Sequence, residues 1–185
     1  MNIFFDTEFT GLHKNTTLIS LGCVAEDGKT FYAEFTDYDK SQCDDWIKKN
    51  VIGNLHLNKY GCNEDWNKME VHCDTAMTEI FFTEWLKQFD SVQFISDVCH
   101  YDFVLLIDLF GSAFNLPKNV CAACHDINQD ISKWYGISER EAFDKSREEI
   151  LMDCIELKNA NPVVGYKHNS LYDAMVIREL YKSMN

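Results

Sequence analysis

The chain has 185 residues, a length that suits one domain with its own hydrophobic core. Apolar residues make up 46% of it and only two residues are proline, a composition that argues against disorder. The formal charge of −13 argues against a surface that binds a long nucleic-acid duplex, because such surfaces are usually basic. Neither a signal peptide nor an apolar run of membrane-spanning length is present, so we expect a soluble, cytoplasmic protein.

The first predicted element is an apolar strand that begins at Ile3 and that Thr10 and Gly11 interrupt. Side chains alternate along a strand, so Asp6 and Glu8 project from the same face. Two carboxylates on one face repel each other unless a cation lies between them, and Mg²⁺ and Mn²⁺ prefer oxygen ligands. The pair therefore predicts a metal site, with a merely solvated pair of acids as the alternative.

Two further strands follow, over residues 16–25 and 30–36, and the Asp27-Gly28 turn between them predicts a hairpin. A short helix is predicted over residues 40–49. The stretch from there to residue 75 shows no clear periodicity, and a segment of this size is usually functional or an interface. The sequence is compatible with either role for this stretch.

The remainder of the sequence alternates between helix and strand patterns. Ser138 and Glu141 form a capping-box pattern that predicts the start of a helix. The last helix should bury a stripe of five apolar side chains. The predicted helices span residues 76–89, 101–110, 126–135, 148–159 and 170–181, the predicted strands span 92–97 and 119–123, and the stripe consists of Leu171, Ala174, Met175, Ile177 and Leu180. This order predicts an α/β fold with a mixed central sheet, three antiparallel strands followed by parallel ones, flanked by helices.

The eight cysteines follow no framework spacing, and we expect them to be reduced. Cys121, Cys124 and His125 match the c-type haem attachment pattern, but attachment normally requires an exported chain. Zinc would need a fourth ligand, which Cys99 or Cys154 would have to supply. We therefore expect structural cysteines here.

Three further side chains are candidates for chemistry. Asp102 lies in the first turn of an apolar helix, His168 lies on the loop before the last helix, and Asp173 lies on that helix. Taken singly, a histidine in a loop is usually solvated and an aspartate at a helix start is usually a cap. Asp97 competes with Asp102 for the same role.

Three motifs of the sequence resemble those of the DEDDh 3′–5′ exonucleases, the DnaQ-like branch of the ribonuclease-H fold. They are Asp6-Thr7-Glu8-Phe9-Thr10-Gly11-Leu12, His100-Tyr101-Asp102 and His168-x-x-x-x-Asp173. The hairpin over residues 19–28, the Tyr-Asp form of the second motif and the small size are most similar to RNase AS, the polyadenylate-preferring exoribonucleases. The second motif lacks the His-Asn spelling of the wider superfamily, so the choice of Asp102 over Asp97 rests on the narrower resemblance and on its place before the apolar helix.

The resemblance implies that residues 1–185 form one exonuclease domain, which removes nucleoside 5′-monophosphates from the 3′ end of single-stranded RNA, adenylate-rich or short. It implies two Mg²⁺ or Mn²⁺ ions per site, a general base at His168 and a possible homodimer. The implied metal ligands are Asp6, Glu8, Asp102 and Asp173, and the implied substrate contacts are Thr7, Phe9, Thr10, Leu12 and Lys167. The alternatives are an exonuclease on single-stranded DNA and a catalytically idle module that binds RNA or a protein.

Overall fold

A mixed β-sheet lies at the centre of the fold in the computed structural model, which describes residues 1–63 and 65–185. The strands are β1 (Asn2–Phe9), β2 (Leu18–Ala25), β3 (Thr30–Phe35), β4 (Gly61–Cys62), β5 (Lys68–Cys73), β6 (Val92–Ser96) and β7 (Val120–Asp126). The helices are α1 (Asp45–Asn50), α2 (Thr75–Leu86), α3 (Cys99–Leu109), α4 (Asn128–Tyr135), α5 (Glu139–Asp144), α6 (Arg147–Glu156) and α7 (Ser170–Met184). None of the helices in these residues is long and apolar enough to cross a membrane.

The strand order across the sheet is β4-β5-β3-β2-β1-β6-β7. Strands β1, β2 and β3 are antiparallel, β5 pairs in parallel with β3, and β6 and β7 extend the other side in parallel. Gly28, with φ of 95°, makes the turn between β2 and β3. The predicted mixed α/β sheet is thus confirmed.

The alternation of β1 places its side chains in two different cores. Ile3 and Phe5 pack with side chains of α2 and α3 on one face of the sheet. Phe4 packs on the opposite face, with side chains of α4, α6 and α7. Asp6 and Glu8 continue the even-numbered series, so they face the side on which α7 lies.

The stretch from residue 37 to 75 is more regular than the sequence suggested. The predicted helix over 40–49 is a 3₁₀ turn, Lys40–Gln42, followed by α1, because Asp44 caps a new helix with its side chain. Strand β5 lies in the stretch that seemed aperiodic, and its buried side chains Met69, Val71 and Cys73 do alternate. Glu64, in the same stretch, lies outside the described residues.

The carboxyl-terminal half follows the prediction with small shifts. Ser138 and Glu141 form the predicted capping box at the start of α5. Strand β7 extends to Asp126, so α4 begins later than predicted. In α7 the predicted buried stripe is wrong at Leu171 and Met175, which are only half-buried, while Ser170 and Val176 are buried.

One cysteine pair departs from the expectation of reduced thiols. Cys99 and Cys124 form a disulfide that joins the start of α3 to β7, with Cα atoms 6.1 Å apart. Cys121 is exposed and His125 pairs with Asp130. In residues 1–63 and 65–185, no cluster of three potential metal ligands includes Cys121, Cys124 or His125.

Gly22 on β2 pairs with Asp6 on β1. Because Gly22 has no side chain, α7 can approach the sheet at this point. A Cβ atom at Gly22 would lie 2.2 Å from the backbone of Ser170 and Leu171. We expect Gly22→Ala to lower the free energy of unfolding by about 3 kcal/mol, because the backbone of α7 would have to move. Urea denaturation measures the change. Gly53→Ala is the control, since its Cβ would meet only a carbonyl oxygen at 3.7 Å, and equal stability of the two variants would contradict the prediction.

Candidate active site

The carboxylates of β1 lie where two neighbouring strands separate. The parallel pairing of β1 with β6 ends at Phe4 and Ile95. Asp6 and Glu8 lie beyond that point on β1, and Asp97 directly follows β6. Ligands of open α/β sheets bind at this kind of position, outside the carboxyl ends of the strands.

Asp102 reaches the same place from the first turn of α3. Its side chain is 3% exposed, and its two carboxylate oxygens accept hydrogen bonds from the hydroxyl groups of Thr7 and Ser96, both at 2.6 Å. Thr7 points away from Asp6 because successive side chains of β1 alternate. Its hydroxyl therefore orients the Asp102 carboxylate, a role that the motif alone does not reveal.

His168 and Asp173 approach from the start of α7. His168 has a φ of 62°, and its backbone N–H donates to Asp173 Oδ2 at 2.9 Å. The imidazole Nδ1 atom lies 3.8 Å from Glu8 Oε1, and the ring meets the edge of Trp46 with 4.9 Å between centroids. Asn54 fixes the loop by donating to the backbone carbonyl of Lys167.

The structure brings all five predicted motif residues into one cluster. Glu8, His168 and Asp173 present ligand atoms within 4.8 Å of one another, and Asp6, Asp97 and Asp102 form a second such group. Asp97 and Asp102, which competed for one role in the sequence analysis, thus both belong to this second group. The Asp97 side chain also accepts a hydrogen bond of 2.9 Å from Arg147 Nε.

Arg147 is a residue that the sequence analysis missed. Its guanidinium group also donates to the carbonyl groups of Ala142 and Lys145 and to the side chain of Asn128. It therefore holds Asp97 in place from a position fixed by α5 and α4. Nothing in the local sequence pairs Arg147 with Asp97, fifty residues away.

Burial makes the acid cluster costly to ionise. It raises the pKa of Glu8 to about 8, and repulsion from Asp173 and Asp102 adds to the effect. Burial likewise raises the pKa values of Asp102 and Asp173 to about 7, and that of Asp6 well above its usual range. Converging carboxylates with this shortage of positive charge fit a hard divalent cation such as Mg²⁺ or Mn²⁺.

A cavity of about 370 Å³ opens over the cluster. Four of the five predicted substrate contacts line it, namely Thr7, Phe9, Leu12 and Lys167. Leu12 is 72% exposed, and the Lys167 ammonium group pairs with Glu148 at 3.1 Å. An exposed apolar side chain and a cation beside a carboxylate cluster suit a nucleotide, which combines a base with phosphate.

Thr10, the fifth predicted substrate contact, does not line this cavity. It is 1% exposed, and its hydroxyl donates to Gln42 Oε1 and accepts a hydrogen bond from the backbone N–H of Thr17. The hydroxyl therefore closes the loop over residues 10–17.

Trp46, by contrast, was missed by the sequence analysis, because it lies 122 positions from the His168 ring that it contacts.

The raised pKa values predict a pH-dependent stability of the metal-free protein. Carboxyl groups whose pKa values rise to about 7 or 8 on folding favour the folded state while they are protonated, and this contribution disappears as the pH rises through those values. We expect the Tm in EDTA to fall by about 5 °C or more between about pH 5 and 8. Mn²⁺ should restore it at the higher pH, because ions that bind the folded state stabilise it.

Differential scanning calorimetry checks this dependence on pH. The double variant Glu8→Gln, Asp173→Asn should show a flatter pH profile and a smaller effect of Mn²⁺. A Tm that stays constant over this range in EDTA would contradict the raised pKa values, and a Tm that Mn²⁺ leaves unchanged would contradict a metal site at these acids.

Comparison with protein families gives a match over nearly the whole chain. The family model described as "3'-5' exoribonuclease Rv2179c-like domain" matches residues 1–184. Two relatives from Mycobacterium tuberculosis are each 30% identical over 132 residues, which cover 70% of this chain and 73% of theirs. They are the 3'-5' exoribonuclease Rv2179c of strain ATCC 25618 / H37Rv and the 3'-5' exoribonuclease MT2234.1 of strain CDC 1551 / Oshkosh.

Solved nuclease structures share the fold at low identity. The nuclease domain of 3'hExo, a DEDDh family member bound to rAMP, superposes with a TM-score of 0.64 and 14% identity, covering 99% of this chain and 90% of its own. Pop2p of S. pombe, in its Mg²⁺- and Mn²⁺-bound form, superposes with a TM-score of 0.58 and 16% identity, covering 98% and 81%. The predicted ribonuclease-H-like architecture is confirmed.

Proposed function

The chain belongs to the Rv2179c-like 3'-5' exoribonuclease family, and from this we propose that it degrades single-stranded RNA with divalent metal ions and releases nucleoside 5′-monophosphates. The observation that carries this proposal is that two sets of acidic side chains line one cavity. Glu8 and Asp173 lie beside His168 in one set, and Asp6 lies with Asp97 and Asp102 in the other. Several carboxylates from separate elements are what two divalent ions require.

In the proposed site Asp6, Glu8, Asp102 and Asp173 hold two Mg²⁺ or Mn²⁺ ions. When bound, such ions neutralise charge at the scissile phosphate and make water more acidic. The protein's part is to fix the ligands: Thr7 and Ser96 orient Asp102, and the His168 backbone orients Asp173. Asp97, held by Arg147, is an additional carboxylate in the same group.

We assign the general base to His168. Burial and the neighbouring Lys167 lower the pKa of its imidazole below the usual value, and Glu148 opposes the shift. A lowered pKa favours the neutral form of the ring, which is the form that accepts a proton from water. Its side chain is 33% exposed, so the proton can then pass to solvent.

The terminal nucleotide is held by the rim of the cavity. Phe9 and Leu12 present apolar surface on which a base of any type can stack, and the Lys167 ammonium group, which also lines the cavity, suits a phosphate. Thr7 and Thr10 act through other residues, since Thr7 orients Asp102 and Thr10 closes the loop that carries Leu12. The family resemblance also suggests a homodimer, which light scattering tests.

The sugar preference is tested with matched oligoadenylates, one of ribose and one of deoxyribose, each labelled at the 5′ end. We expect the ribo-oligomer to be shortened at least about tenfold faster, a difference of about 1.4 kcal/mol in transition-state binding. Oligouridylate of the same length measures the preference for adenylate. Equal rates on the two sugars would contradict the expected ribose preference, and faster shortening of the deoxyribo-oligomer would favour the alternative of a single-stranded DNA exonuclease.

A further inference from the structure

His168 has a backbone φ of 62°, which is uncommon outside glycine. A conformation of this kind costs free energy and persists only where the surrounding structure holds it. Because the imidazole is attached to this residue, the contacts that hold the backbone also set the direction of the ring. These contacts lead away from the active-site cavity, the one over the carboxylate cluster, to the buried side chain of Glu34.

The peptide bond between Lys167 and His168 is held at both of its polar groups. Its N–H donates to Asp173 Oδ2 at 2.9 Å. Its carbonyl oxygen accepts a hydrogen bond of 2.9 Å from the Asn54 amide. A peptide bond is planar, so hydrogen bonds at both groups fix the orientation of the plane. Together with φ, this plane determines where the Cβ atom of His168 points.

A buried carboxylate holds the segment that carries Asn54. Glu34, on β3, is 2% exposed, and its Oε1 atom accepts hydrogen bonds from the backbone N–H groups of His56 at 2.7 Å and Leu57 at 3.1 Å. Hydrogen bonds at a buried side chain are stronger than those in water, because the local dielectric is low. The segment that ends at Leu57 is thereby fixed to the sheet, and Asn54 with it.

Tyr32 connects the same carboxylate to the residue after His168. Its hydroxyl donates to Glu34 Oε1 at 2.9 Å and accepts a hydrogen bond of 3.2 Å from Asn169 Nδ2. Burial, followed by the neighbouring Glu34, raises the pKa of the Tyr32 hydroxyl, so the hydroxyl keeps the proton that it donates. Asn169 also caps α7 by accepting a hydrogen bond from the Tyr172 N–H. The four linked side chains, called the Glu34 network below, are Tyr32, Glu34, Asn54 and Asn169.

We propose that the Glu34 network positions the general base, by directing the His168 imidazole toward the carboxylate cluster. This proposal rests on the proposed function, since it assumes that His168 accepts the proton. Of the described residues that line the active-site cavity, none belongs to the Glu34 network, so its members act through His168. A small misplacement of a reacting group slows the chemical step strongly. Loss of the network should therefore lower kcat and leave nucleotide affinity unchanged.

The first variant breaks the link to the peptide bond before His168. Asn54→Ala removes the donor to the Lys167 carbonyl at a half-buried position. Asn119→Ala is the matched control, because the Asn119 amide also donates to two backbone carbonyl groups, at 2.9 and 2.8 Å, and lies outside the active-site cavity. Melting temperatures show that both variants fold.

The second variant breaks the link on the other side of His168. Tyr32→Phe removes the hydroxyl that joins Glu34 to Asn169 and keeps the ring. Tyr135→Phe is the matched control, because that hydroxyl likewise donates to a carboxylate, Asp153, at 2.7 Å, away from the active-site cavity. If one of the two network variants fails to fold, the other decides the question.

The measurements are kcat on oligoadenylate and the inhibition constant of AMP. We expect Asn54→Ala and Tyr32→Phe each to lower kcat by about fivefold to tenfold and to leave the AMP constant within about twofold. Added to His168→Asn, which lacks the imidazole, the same substitutions should change kcat by less than about twofold, because residues that act through one another are not additive. The two controls should change neither quantity.

The combination with His168→Asn separates positioning from a merely structural role. A loss of kcat that is equally large without the imidazole would overturn the proposal, and so would an equal loss of AMP affinity. Unchanged kcat in a folded network variant would overturn it as well. A wild-type protein inactive on every oligoribonucleotide would overturn the proposed function instead.

Discussion

Asp6→Asn should lower kcat by about 10³-fold or more, the scale on which single preorganised electrostatic groups act in catalysis. Asp6 shares a group of close ligand atoms with Asp97 and Asp102, and its pKa is raised by burial and then by repulsion from Asp102, Asp173, Glu8 and Asp97. The amide keeps the shape of the side chain and removes the negative charge that a metal ligand needs. Release of AMP from oligoadenylate in Mn²⁺ gives kcat directly.

Stability separates this loss of activity from a loss of folding. The variant should be at least as stable as the wild type in EDTA, because one of several repelling carboxylates is gone. Asp90→Asn, at an exposed position outside the cavity, is the control and should retain full activity. An active Asp6→Asn variant would exclude Asp6 as an essential ligand.

His168→Asn should lower kcat by about 10²-fold to 10³-fold while Mn²⁺ affinity stays within a few-fold of the wild type. Asparagine suits the test because it tolerates the positive φ of 62° at this position and keeps the backbone N–H that binds Asp173. Steady-state kinetics measures kcat, and calorimetric titration measures Mn²⁺ binding.

The pH profile gives the test of His168 a second readout. A base must be deprotonated to act, so wild-type kcat should fall as the pH drops below the lowered pKa of the imidazole. The variant should lose this dependence. His72→Asn, on β5 and outside the active-site cavity, should keep it. An unchanged profile in His168→Asn would mean that another group accepts the proton.

Local patterns were enough to predict much of this fold. The alternation of β1 placed Asp6 and Glu8 on one face, Gly28 marked the hairpin, and Ser138 marked the start of α5. Each of these signals depends on residues close together in sequence. Strand β5 escaped prediction because its alternation is short and follows an irregular stretch, although Met69, Val71 and Cys73 carried the signal.

The parts of the site that escaped prediction depend on distant pairings. Arg147 meets Asp97, Trp46 meets His168, and Cys99 meets Cys124 only after the chain has folded. The family resemblance implied that Thr10 contacts substrate, yet its hydroxyl turns inward and accepts a hydrogen bond from the backbone N–H of Thr17. Proximity in sequence identified the motif, but it did not fix the direction of each side chain.

The most direct test of a metal-dependent exoribonuclease follows one labelled substrate over time. Purified protein is mixed with single-stranded oligoadenylate that carries a label at its 5′ end, in Mg²⁺, in Mn²⁺ and in EDTA. We expect a ladder that shortens from the 3′ end with release of AMP in either metal, and an intact oligomer in EDTA. Cleavage that continues in EDTA, or a labelled mononucleotide as the first product, would contradict the assignment.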